Sequence, residues 1–323
     1  MFRYIVRRCL MMIPMMVIIS ILCFVVIKLQ PGDFTTQFLH DPRMSPEMVA
    51  QIRTRLGLDQ PAHIQYLTWV KGIITEGDFG YSFAYKRPVH ELIWERMAWT
   101  VGVAGITIIF TWVVAIPIGI YSATHKYSFM DYFLTFIGFI GVSIPSFFLA
   151  LVLMYVYLSL GGTAVGGLFS QQYIGAPWSL AKFVDLLRHL WIPVIAIGLG
   201  GTASLIRLMR ANLLDVLGTQ YVMTARAKGL PERTVIYKHA VRNAINPLIS
   251  IFGMQLPSLI SGTIIASIVL NLPTMGPFFY DALLNSDQYL VMTFLMLSAF
   301  LMLIGNLLAD IMLAWSDPRI RYE

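Results

Sequence analysis

The residues best placed to do chemistry in this chain lie in one polar stretch, 221–247, which reads YVMTARAKGLPERTVIYKHAVRNAINP and sits between two long apolar runs. It gathers Arg226, Lys228, Arg233, Lys238, His239 and Arg242. Its lone histidine lacks the second ligand or paired base that metal or nucleophilic chemistry needs. What the stretch offers is a shaped cationic surface for a soluble partner. The plainer alternative is a solvated inside loop whose positive charges only fix topology.

Elsewhere the chemistry is sparse. The sequence contains no G-x-x-x-x-G-K-[ST] loop, no H-E-x-x-H, no G-x-S-x-G and no Cys/His cluster at metal spacing, so neither ATP binding by a P-loop nor hydrolysis is expected of this chain. His40, His63, His90, His125 and His189 stand singly. Cys9 and Cys23 fall in the first apolar run; fourteen residues of helix set them roughly 21 Å apart, too far to bridge. A non-catalytic chain holding no cofactor or metal is the expectation.

The elements that must position the polar stretch follow from its own residues. Thr224, Ala225, Arg226, Ala227 and Lys228 are tolerable to good helix formers, and Gly229 stands where a left-handed residue ends a helix. Pro231 and Glu232 then open a second helix, with an acid near the positive end of its dipole. A helix–turn–helix is predicted, with His239 hydrogen-bonding the two short helices together.

Composition supplies the setting. The chain has 323 residues, 57% hydrophobic and 12% charged, with a mean hydropathy of +0.71; that lies outside the soluble globular range and implies a lipid bilayer. The net charge of +6 gathers in short segments beside apolar runs, which is a topology pattern and excludes nucleic acid as a partner. Arg3, Arg7 and Arg8 precede the run 9–27, which is long enough to span and has no small-residue cleavage site after it. Further spans are predicted over about 100–124, 132–160 with Pro145 kinking it, 189–208, 247–270 and 289–314. Arg319 and Arg321 return the tail to the inside. The expectation is an all-α integral membrane protein of six transmembrane helices with both termini cytoplasmic. It divides into a first transmembrane helix at 1–29, a small extracytoplasmic region at 30–99, and a five-helix core at 100–323 carrying the cytoplasmic loop at about 211–246. In the outer region, Pro46 and Pro61 are expected to start short helices and Gly57 to end the first.

The span interiors are nearly free of ionisable residues. Lys28 falls at an interface, and Asp310 near the inner end of the sixth span reads as an interfacial acid paired with a base or capped by water. Ion-coupled carriers usually keep such groups at the midplane, so no coupling-ion site is visible.

The run Thr-Ala-Arg-Ala-Lys-Gly-Leu at 224–230, with His239-Ala240 and Arg242-Asn243-Ala244, resembles the "EAA" loop of bacterial ABC-importer permeases, in the variant of the dipeptide/oligopeptide/nickel group. Leu56-Gly57-Leu58-Asp59-Gln60-Pro61, Gln65-Tyr66, Trp69, Gly77-Asp78-Phe79-Gly80, Ser82 and Pro88-Val89 resemble the outer region of that group's B-type subunit. The resemblance covers nearly the whole chain. It departs at Met223, which stands where the wider superfamily has a glutamate, so no salt bridge is carried over there. It implies a type I ABC importer permease fold in the bacterial cytoplasmic membrane, paired with a second permease. Two cytoplasmic ATPase subunits would bind ATP and Mg, and an extracytoplasmic binding protein would deliver solute. It also implies a coupling role for Thr224, Ala225, Arg226, Ala227, Lys228 and Gly229, supported by Leu230, His239 and Arg242. Peptides are the implied solute, with oligosaccharides or nickel as alternatives in the group. A self-contained carrier or channel is the alternative of another class.

Overall fold

The structure is a computed structural model that describes residues 2–30, 32, 35–36, 45–55, 57–163, 165–261 and 264–316. Leu56 and the tail 317–323, with Arg319 and Arg321, lie outside the described residues. The chain divides into two compact units, one of residues 1–5, 101–273 and 302–323, the other of residues 6–100 and 274–301.

The second unit begins along α1 (Phe2–Leu29) and continues through α2 (Pro46–Arg55) and α3 (Ala62–Glu76). Both short helices start at the expected prolines. Gly57 and Gly77 take positive φ beyond their ends, the left-handed conformation only glycine adopts cheaply. Trp69, Phe24 and Met292 form a small buried core, and the Trp69 indole N–H donates to the Phe79 carbonyl at 2.9 Å. A hairpin of β1 (Tyr81–Ser82) and β2 (Arg87–Pro88) pairs antiparallel with Tyr81 opposite Pro88. It is held by Asp287, which is fully buried and accepts from the Ser82 hydroxyl at 2.6 Å and the Ala84 N–H at 3.1 Å. α13 (Met275–Leu284) and the start of α14 (Gln288–Ser316) complete the unit. Asp287 immediately precedes α14, where the helix dipole favours an acid.

The first unit takes most of α4 (Val89–Thr124), then α5 (Phe129–Ser143), α6 (Ser146–Ser159) and α7 (Leu180–Leu217). The short helices α8 (Gln220–Ala227), α9 (Glu232–Thr234) and α10 (Arg242–Ala244) lead into α11 (Asn246–Ser261) and α12 (Ile264–Val269). Among the described residues four helices are long and apolar enough to cross a membrane, in α1, α4, α7 and α14, or five if the pair α5 and α6 is one span. That pair bends by 105°. Pro145 therefore does not kink one continuous helix; it is the N-cap of a second, because the residue before proline is driven out of the helical region and Ile144 takes ψ 122°.

α4 and α7, of 36 and 38 residues, outrun the spans expected from hydropathy. A bilayer core of about 30 Å needs only some 20 helical residues, so their charged ends extend beyond it. α5 lies close on α7. A Cβ at Gly141 would stand 3.0 Å from Leu199 and one at Gly138 3.7 Å from Ala203, the small-residue contact by which membrane helices pack. Asp310 accepts from the Tyr4 hydroxyl at 2.7 Å, so one partner of this acid is a phenol.

Candidate functional site

The polar stretch folds as a compact cap on the end of α7. α8 turns Val222 and Ala225 inward, 0% and 6% exposed, into a core with Met209, Leu213, Ala244 and Leu248. Its other face carries Met223, Thr224, Arg226 and Ala227, all exposed. The i, i+3 burial is what an amphipathic helix gives when one stripe is apolar.

The helix ends as predicted. Gly229 has φ +73°, its N–H donates to the Arg226 carbonyl at 2.9 Å, and the Leu230 N–H reaches the Ala225 carbonyl at 3.4 Å. These two bonds are the paired pattern of a Schellman cap. Pro231 is the N-cap of α9. The Arg226 guanidinium reaches across the turn to Glu232, Nη2 to Oε1 at 2.6 Å and Nε to Oε2 at 3.2 Å, so the turn is closed by a two-toothed ion pair as well as by backbone. Arg226 holds the Glu232 carboxyl below its ordinary range, and Glu232 raises the guanidinium in return.

Val235 to Val241 then wind as a π-helix. Val235 and Ala240, five residues apart, are both fully buried, an interval that suits the i, i+5 repeat of π winding. At the far side the Asn243 amide donates to the Tyr221 hydroxyl at 2.7 Å, and the Asn212 amide reaches the Ala244 carbonyl at 3.4 Å.

Of the residues singled out by sequence, Thr224, Arg226, Ala227, Lys228, Gly229 and Leu230 share one exposed ridge with Met223, while Ala225 lies beneath it in the core. Arg242 is exposed on the following segment. His239 is half-buried and, among the described residues, its side chain makes no hydrogen bond. The tie expected of it is made by Asn243 and Tyr221 instead. Sequence reasoning missed that tie and the Arg226–Glu232 pair. The signal for the second was present: opposite charges flanking a Gly-Leu-Pro turn face each other once the chain reverses.

This arrangement has no nucleophile–base pair, and no group of three or more His, Cys, Asp or Glu that could hold a metal occurs among the described residues. It presents a braced, cationic projection with apolar side chains at its crest. With several apolar helices of spanning length, the molecule is of the multi-span helical membrane class.

Comparison with known proteins narrows the class. Residues 115–322 match the family described as the binding-protein-dependent transport system inner membrane component, and residues 1–104 match the N-terminal region of such membrane components. The chain belongs to this family and is a permease of a binding-protein-dependent transport system. It is 39% identical over 321 residues to the oligopeptide transport system permease protein AppB of Bacillus subtilis, covering 99% of each chain. It is 32% identical over 339 residues to the dipeptide transport system permease protein DppB of Escherichia coli K12, and 31% identical over 336 residues to the DppB of Alkalihalophilus pseudofirmus, covering all of both chains in each case.

Proposed function

We propose that this chain is a membrane-spanning subunit of an ATP-driven peptide importer and that the cap at 221–243 is the surface through which ATP hydrolysis drives it. The single observation that carries the second part is the Schellman-capped, ion-paired turn at Gly229: an exposed loop so fully braced costs conformational entropy, which a contact surface needs and a topology loop does not. Full-length similarity to peptide permeases supports peptide as the solute. Thr224, Arg226, Ala227, Lys228, Gly229 and Leu230 would meet a cytoplasmic ATPase, with Ala225, His239 and Arg242 supporting from behind and beside.

In this reading six spans place both termini in the cytoplasm and residues 30–99 outside. α11 and α12 together supply the fifth span and the bent pair α5 and α6 the third. A second permease completes the pathway, two ATPase subunits bind ATP and Mg below, and a binding protein delivers peptide above. Closure of the ATPases moves the cap, the cap moves the end of α7, and the pathway opens to the other side. This chain changes no bond.

The test is affinity purification in mild detergent with identification of co-purifying chains, ATPase assay and peptide uptake. Recovery of a second permease and P-loop ATPases, with uptake that needs ATP, is expected. A chain that purifies alone and moves solute without ATP would overturn the proposal.

A further inference from the structure

We infer that Asp131 and Arg210 are positioning residues for coupling: a buried clamp that makes α7 carry α5, and the α4–α5 turn, along with the cap. The inference rests on the proposed role of the cap and deepens it by naming how its motion leaves the cap.

The geometry is that of a fork. Arg210 Nε lies 2.9 Å from Asp131 Oδ1 and Nη2 lies 2.8 Å from Oδ2. The Asp131 side chain is 2% exposed and the Arg210 side chain 26%. A bidentate pair fixes orientation as well as distance. Oδ2 also accepts the Tyr127 N–H at 3.0 Å. Tyr127 has φ +67°, a conformation that strains a residue with a side chain and persists only where its surroundings hold it. The carboxylate that grips Arg210 is thus also the group holding the α4–α5 turn in its unusual shape. Asp131 is itself fixed, because its N–H donates to the Ser128 hydroxyl that caps α5.

Arg210 stands between the cap and the spans. Met209 and Leu213, its neighbours along α7, are fully buried in the core shared with Val222 and Ala225 of α8. A Cβ at Gly119 of α4 would stand 2.7 Å from Met209, so α4 lies against the same turn of α7. Farther along α5 the contact with α7 is apolar and small, apart from Arg207 over the Phe139 ring at 5.5 Å. Apolar helix surfaces resist separation but allow sliding and rolling. A two-toothed ion pair with low exposure does not. Displacement of the end of α7 is therefore delivered to α5 at Asp131, and through it to the bent pair α5 and α6.

The test uses the complete importer with its partner chains, reconstituted in lipid, and measures peptide transported per ATP hydrolysed. The variants are Asp131→Asn, Arg210→Lys, and the reversed pair Asp131→Arg with Arg210→Asp. Arg210→Lys keeps the charge and loses the fork. The expected result is that Asp131→Asn and Arg210→Lys assemble with their partners and hydrolyse ATP, but move about tenfold less peptide per ATP, within the range that changes along a coupling network produce. The reversed pair should recover part of the loss, though not the Tyr127 contact. A wild-type ratio in both single variants overturns the inference while leaving the cap's role intact, as does a loss of transport and hydrolysis in equal proportion. A wild-type assembly that transports without hydrolysis overturns the importer reading itself.

Discussion

Replacing Gly229 isolates the backbone from the contact surface. An added Cβ there would meet no atom within 4 Å, so within this chain Gly229→Ala costs only what φ +73° costs a residue with a side chain, about 1–2 kcal/mol. That is roughly a five- to thirtyfold fall in the capped form relative to uncapped alternatives. Asn tolerates the left-handed region better, and Gly229→Asn should lose less. Gly229→Pro cannot form the cap, because proline fixes φ near −65° and removes the N–H that now donates to the Arg226 carbonyl. In cells lacking the chromosomal copy, peptide uptake should therefore fall in the order Gly, Asn, Ala, Pro, with the protein at equal levels in the membrane by immunoblot. Uptake at the wild-type rate in Gly229→Pro would refute the role of the cap. An Asn variant as inactive as the Pro variant would refute the backbone argument, because the cost would then lie in the added side chain.

Removing the Asp131 charge should destabilise the protein by about 2–3 kcal/mol, below the usual cost of breaking a buried pair because Arg210 retains some access to water; thermal unfolding of the purified Asp131→Asn protein in detergent measures it. A Cβ at Gly253 would stand 2.7 Å from the Gly305 carbonyl oxygen and 2.8 Å from the Asn306 side chain. Gly253→Ala should therefore cost about 1–3 kcal/mol by overpacking, read as a lower unfolding temperature, and an unchanged temperature would contradict the close approach of α11 and α14. The Arg226–Glu232 pair is exposed and contributes only about 0–1 kcal/mol. Because Arg226 lowers the Glu232 pKa from an ordinary value of 4.5, that contribution is complete above the ordinary value and is lost as the pH falls through the lowered one. Limited proteolysis should find Arg226→Ala more easily cut than wild type at neutral pH and indistinguishable from it in acid well below 4.5.

Local rules placed much of this molecule. Apolar runs long enough to span marked α1, α4, α7 and α14, because hydropathy is summed along one helix and needs no partner. Pro46 and Pro61 marked the starts of α2 and α3, and Gly229 marked the turn of the cap, because each acts on its own φ and ψ. The same rules faltered where the outcome depends on neighbours. Pro145 was legible as a break, but its size was not: a helix kinks or divides according to what packs against both halves. The π winding from Val235 to Val241 has no short-range signature, since it follows from which side chains the end of α7 can bury. His239 was the histidine in the motif and the obvious candidate for a tie, yet Asn243 and Tyr221, twenty-two residues apart, make the bond.

Chain chemistry alone therefore determined the class of the protein, four of its helices of spanning length and the place of its exposed turn, all consequences of burying apolar runs in lipid and of what glycine and proline permit. Tertiary structure alone decided which polar groups distant in the chain meet. Asp131 and Arg210 are seventy-nine residues apart, and Ser82 and Asp287 two hundred and five. An ion pair or a buried hydrogen bond depends on distances of about 3 Å, and no pattern along the chain sets such a distance between residues brought together only by folding.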